Sequence, residues 1–201
     1  RVMIKLSPML DLKCIERELQ GVSEIHVVSV DNECKEVLVK LSSDAGGLQI
    51  VCANLSDGRE DETLAFTPQE ETTAVCHYTD AVSTYIFEPN SSVMKVGCFK
   101  TVAQRYGLYK FHPNSHLYTA EHDVTDFPGR RFKVLDASGF NKRELGRLLS
   151  GMSQANMTVR NFPLSVAELR RRLKLRDGGD RYIFATTLAD GKHVLVLCEK
   201  A

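Results

Sequence analysis

No run in this 201-residue chain approaches the ~18 consecutive apolar residues that cross a bilayer as a helix, so no membrane span or membrane partner is expected. No cysteine pair has the C-x-x-C spacing of a zinc or redox site. The six cysteines are Cys14, Cys34, Cys52, Cys76, Cys98 and Cys198. Most lie in apolar strand-like stretches such as Ile50-Val51-Cys52-Ala53, the pattern of buried free thiols in a reducing cytosol. The 13 glycines never form G-x-G-x-x-G or G-x-x-x-x-G-K, and H-E-x-x-H is absent. A dinucleotide fingerprint, a P-loop and a zincin helix are thereby excluded. The first residues, Arg1 to Leu6, read as a strand with no small-residue cleavage site after them, so no secretory signal is expected and the location is cytoplasmic. The chain begins with Arg1, and is expected to be part of a longer protein.

A hydrophobic content of 43% and a charged content of 26% suit a soluble globular protein. The net charge of zero hides an asymmetry. Residues 1–100 hold 9 Lys and Arg against 16 Asp and Glu, while residues 101–201 hold 17 against 10. A split of this kind suits a chain in which one half faces a polyanion, or one whose halves attract each other.

Along the chain, Val2 to Leu6 reads as a parallel-type strand ending at Ser7-Pro8-Met9. Asp11 caps a helix predicted to run to Gln20. Glu24 to Val30 and Glu36 to Leu41 form a hairpin through Asp31-Asn32-Glu33. Leu48 to Leu55 and Thr63 to Thr67 are strands flanking a charged loop, Ser56 to Glu62, and Pro68 to Thr73 reads as polar and exposed. Asn90-Ser91-Ser92 caps a helix predicted from Val93 to Tyr106 and ended by Gly107. The last third reads most clearly, as β-α-β-α-β-β. Asn141 with Glu144, and Ser165 with Glu168, are helix-start signals, each followed by a leucine stripe. Asp190-Gly191 predicts a tight hairpin between the last two strands.

The two helices of this module carry the candidate site. Lys142, Arg143 and Arg147 decorate the first; Arg170, Arg171, Arg172, Lys174 and Arg176 follow the stripe of the second. Right-handed crossovers would set both helices on one face of the sheet and merge their cations into one surface. Guanidinium groups bind phosphates bidentately and stack on bases, so the pattern points to RNA. Arg160 and Asn161 sit where a strand enters the second helix, whose N-terminus favours phosphate. Ser7, Pro8 and Met9 follow a parallel-type strand, where loops line ligand crevices in α/β folds, and Asn114, Ser115 and His116 form a polar loop; both are candidate contacts for RNA or substrate. His112 and His116 are four apart, but Pro113-Asn114 makes a turn, so no metal site is expected. Cys34 lies among charges without a nearby histidine, and no catalytic residue is assigned. A complete enzyme would need Cys34 or Cys98 beside a histidine in a pocket.

Five segments carry a family resemblance: Lys5-Leu6-Ser7-Pro8-Met9-Leu10-Asp11; Glu24 to Val30; Asn32-Glu33-Cys34-Lys35-Glu36; His112-Pro113-Asn114-Ser115-His116-Leu117-Tyr118; and Thr158 to Ser165. With them the chain resembles the C-terminal half of bacterial class I S-adenosylmethionine (SAM)-dependent methyltransferases that end in a ferredoxin-like segment and a THUMP-like domain. The resemblance implies an α+β (α/β) fold in three parts: residues 1–80 as late strands of a Rossmann-like methyltransferase sheet, 81–129 as the ferredoxin-like segment, and 130–201 as a βαβαββ THUMP-like domain. That order also resembles the RNA-associated domain of translation initiation factor three. The resemblance implies that the full-length parent uses SAM. The glycine-rich half that binds it is missing here, so these residues alone should be inactive and hold no cofactor. The expected role is RNA recognition for an upstream methyltransferase domain of the same chain. The alternative is structural docking onto that domain without nucleic acid.

Overall fold

A computed structural model describes residues 2–43, 46–58 and 60–201. Arg1, read as the start of the first strand, and Arg59 of the charged loop lie outside the described residues. Contacts divide the chain into two units, residues 1–75 with 89–105, and residues 76–88 with 106–201.

The first unit is built on a mixed sheet of β1 (Val2–Leu6), β2 (Val22–Val30), β3 (Glu33–Leu41), β4 (Gln49–Leu55) and β5 (Glu62–Phe66), in the order β1-β3-β2-β4-β5. Only β2 and β4 pair in parallel. Alternation along β2 and β3 turns Ile25, Val27, Val37 and Val39 onto one face, where they are buried with Leu12 and Ile15 of α1 (Leu12–Glu18). The hairpin falls where the sequence places it. Asp31 and Asn32 stand at φ 48° and 64°, the left-handed pair that a two-residue turn requires and that Asp and Asn tolerate. Asn32 is held from both sides: its N–H donates to Asn54 Oδ1 at 2.9 Å, and its own Oδ1 accepts from the Ser91 N–H at 2.7 Å.

Several expectations need correction. β1 pairs antiparallel with β3 instead of in parallel, although it runs in the same direction as β2. The first helix stops at Glu18, short of Gln20. Residues 68–73 are polar with none buried, as read, but they also form α2 (Pro68–Thr73), because Thr67 and Glu70 complete a capping box ahead of a proline at the first helical position. The single helix predicted from Val93 to Tyr106 is two, α3 (Ser91–Val96) and α4 (Phe99–Arg105). Gly97 at φ 81° ends the first in a left-handed cap.

The second unit holds β6 (Tyr85–Pro89), β7 (Tyr109–Lys110), β8 (Tyr118–Ala120), β9 (Gly129–Gly139), β10 (Asn156–Arg160), β11 (Tyr182–Thr187) and β12 (His193–Lys200) in one sheet, ordered β10-β11-β12-β9-β6-β8-β7. Its helices are α5 (Lys142–Leu148) and α6 (Val166–Leu173). Both pack on the same sheet face. Leu145, Leu148 and Leu169 share a buried cluster with Ile183, Ala185 and Leu195. The opposite face buries Phe132, Phe184, Val196 and Cys198 with Phe111 and Leu117. The Asp190-Gly191 hairpin forms, but through a longer loop than the tight turn expected. The Leu188 N–H bonds the Lys192 carbonyl at 3.0 Å, and Gly191 takes the left-handed position at φ 83°. α6 depends on its cap: Ser165 Oγ accepts from the Glu168 N–H at 3.3 Å, and the Glu168 carboxylate accepts from the Ser165 N–H at 2.8 Å. Ser165→Ala is expected to lower stability by about 1 kcal/mol, read as a fall in the urea midpoint.

Candidate nucleic-acid interface

Asn141 starts α5 by accepting the Glu144 N–H at 3.0 Å, while the Glu144 carboxylate accepts the Gly139 N–H at 2.5 Å. Both acids of the first turns are thus spent on caps. The Asn141 amide and the Gly139 N–H hold Glu144, and the Ser165 hydroxyl and N–H hold Glu168, below the usual carboxylate range. The cations point outward. Lys142, Arg143, Arg171, Arg172, Lys174 and Arg176 are exposed, and among the described residues none of them has an acid within ion-pair distance.

The remaining arginines of the two helices are tied down. Arg147 grips Asp136 of β9 through two bonds, at 2.6 and 3.1 Å, and donates to the Ala137 carbonyl at 3.1 Å. Arg170 is bonded to Asp177 at 2.6 Å and is only 26% exposed. The Arg170 guanidinium holds the Asp177 carboxyl low. Arg172 lies over the Phe140 ring, its guanidinium carbon 4.5 Å from the centroid. Arg176 lies in the chain segment that bridges Gln154.

A second cluster forms at the end of β10. Asn161 follows Arg160 in the left-handed region, at φ 51°. Its carbonyl accepts from the Thr187 hydroxyl, and its Nδ2 lies 3.0 Å from His112 Nδ1. Ser115 Oγ donates to the Thr187 carbonyl at 2.8 Å. The turn at Pro113-Asn114-Ser115 is therefore fastened to the strand end, and two groups read separately in the sequence are brought together. Asn114 is exposed and His116 is half-buried. Ser7, Pro8 and Met9 lie in the first unit after β1, with the Met9 side chain open to solvent and its N–H on Ser7 Oγ at 3.2 Å.

One residue the sequence did not single out organises this cluster. Glu88 of β6 is 2% exposed. Arg130 binds its Oε2 through Nε at 2.9 Å and again through Nη2, and Arg160 reaches its Oε1 at 2.9 Å. Three strands lie between β6 and β10 in the sheet order, so the contact requires the sheet to curl. Burial, then the charges of Lys110 and Arg160, push the His116 ring down to about 4. Cys34 has the opposite of a nucleophile's profile, since burial raises its thiol.

A family model described as a ferredoxin-like domain matches residues 85–128, and one described as THUMP domain-like matches residues 129–200. The chain is thus a mixed α/β protein carrying a ferredoxin-like and a THUMP-like domain. A solved structure titled as that of a "putative methyltransferase" from Porphyromonas gingivalis W83 is 43% identical, with a TM-score of 0.92 over 99% of this chain and 51% of that one. The present chain therefore spans about half the length of that protein. No curated protein matches it.

Proposed function

We propose that this chain is the RNA-recognition region of a SAM-dependent RNA methyltransferase whose catalytic half lies outside these residues. The observation that carries the reading is the pair of capped helices on one sheet face, with exposed cations on both and their first-turn acids spent on caps. RNA phosphates would meet Lys142, Arg143, Arg171, Lys174 and Arg176, with Asn161, Asn114 and His116 as a second contact at the strand end whose arginine, Arg160, is held by Glu88. The likeness to a methyltransferase supplies the reaction class. The order β1-β3-β2, in which a returning strand inserts antiparallel between two that run together, suits the closing strands of a class I methyltransferase sheet.

The residues present do not fit SAM. β2 runs into a two-residue hairpin, β4 into a charged loop, and β1 reaches α1 through Ser7-Pro8-Met9-Leu10-Asp11, which holds no glycine. No methyl-transfer step is assigned to them. Docking onto an upstream domain is favoured at a separate place: Val2 and Met3 of β1 are 57% and 65% exposed, a surface that suits a further strand. No helix among the described residues is long and apolar enough to cross a membrane. We assign the protein to the cytoplasm, a compartment that suits the buried, unbridged thiols of Cys52, Cys98 and Cys198.

The test is fluorescence anisotropy with a structured RNA at two salt concentrations. Lys142→Ala, Arg143→Ala, Arg171→Ala and Lys174→Ala together should weaken binding and flatten its salt dependence, by about 0.7–0.9 in log–log slope for each phosphate no longer neutralised. Unchanged affinity would remove the helical face from the interface.

A further inference from the structure

Between α5 and α6 runs a groove of about 440 Å³, lined by Lys142, Leu145, Gly146, Leu149, Arg172 and Leu173. Its size falls among clefts that hold small organic groups, roughly 300–1,000 Å³. Its walls are leucines and its rim is cationic. Gly146 is the odd residue. It sits in the middle of a helix, where glycine costs about 0.5–1 kcal/mol relative to alanine, and its backbone is not in the left-handed region. A Cβ built there would meet nothing within 4 Å. Neither backbone conformation nor close packing requires a glycine at this position. Gly146 lines the groove, and its missing side chain leaves open space there. Arg172 adds a flat cation to the wall, fixed by the Phe140 ring.

We propose that this groove receives an unstacked nucleobase of single-stranded RNA; the inference rests on the RNA reading above and deepens it. A base needs an apolar slot for its faces, a planar group to lie against and cations nearby for its flanking phosphates. Leu145, Leu149 and Leu173 supply the slot, Arg172 the plane, and Lys142, Arg143 and Arg171 the phosphate contacts. The chemistry favours a base over an acidic peptide because three leucines and one planar cation line the groove, and Lys142 is the only other charge in its lining.

The experiment compares a fluorescently labelled single-stranded oligoribonucleotide with the same backbone made abasic, using the full chain. Wild type should bind the intact strand about tenfold more tightly, the scale of one stacked base. Gly146→Leu, which fills the groove without changing charge, should bring the intact strand down to the abasic level and leave the salt slope and abasic affinity unchanged. Gly146→Ala, which fits the helix and favours it, guards against a folding defect and should lose affinity in the same direction but less. Equal wild-type affinity for both strands would overturn the groove inference while leaving phosphate binding intact, and so would unaltered intact-strand binding in Gly146→Leu. That is also the result if the groove seats a protein segment. Absence of salt-dependent binding to either strand would overturn the RNA reading and the groove with it.

Discussion

Glu88→Ala is expected to destabilise the second unit by about 3 kcal/mol, read as a large fall in the urea midpoint of the full chain. Breaking a buried ion pair by removing one partner costs about 3–5 kcal/mol, because the charge left behind is uncompensated. Here the carboxylate is the buried member, at 2% exposure, and it serves two guanidinium groups that remain 46% and 36% exposed. Water can partly resolvate those arginines, so the cost falls at the low end of the range. The effect should still be large, because Glu88 joins β6 to the ends of two other strands, through Arg130 of β9 and Arg160 of β10. Glu88→Gln keeps the shape and an acceptor and removes the charge, and should lose roughly half as much. A Glu88→Ala midpoint within experimental error of wild type would mean that the curl of the sheet is set by its apolar face alone.

The parts of this fold legible in the sequence are those fixed by local chemistry. Asn141 with Glu144 and Ser165 with Glu168 announce α5 and α6 because a cap is completed within four residues. The same signal at Thr67 and Glu70 announces α2, but its helix buries no residue and so lacks the apolar periodicity that would draw attention to it. The break at Gly97 is hidden for the converse reason: apolar spacing runs through it, and only the left-handed backbone reveals the stop. The cations of the candidate interface are all visible in the sequence. Which of them are available is not, because their acids lie on other elements. Asp136 claims Arg147 from β9, Asp177 claims Arg170 from beyond the end of α6, and Glu88 claims Arg160 from a strand 72 residues away. Glu88 itself leaves no trace in the sequence. It is one carboxylate in an otherwise apolar strand, and its importance comes from sheet curvature that no local pattern encodes.

Burial and two neighbouring cations set the acid sensitivity expected of this protein, through His116. Its ring is half-buried, with Lys110 and Arg160 close enough to oppose a further positive charge, so it takes a proton in the folded state only near pH 4, against about 6.5 for an unfolded histidine. Below pH 6.5 the unfolded chain therefore binds a proton that the folded one does not, and stability falls as pH drops towards 4. At pH 7 and above this contribution is fully present. The limiting slope is about 1.4 kcal/mol per pH unit, giving at most about 3 kcal/mol over the window. Solvent screening at a partly exposed ring reduces this to about 1–2 kcal/mol. His116 stands at φ 52°, which asparagine tolerates, so His116→Asn removes the titration with least disturbance to the backbone. Urea midpoints of wild type should decline between pH 6.5 and 4.5, while those of His116→Asn should stay nearly level. Parallel declines in the two proteins would assign the acid sensitivity to other groups and show that burial and the nearby cations do not lower the ring's proton affinity.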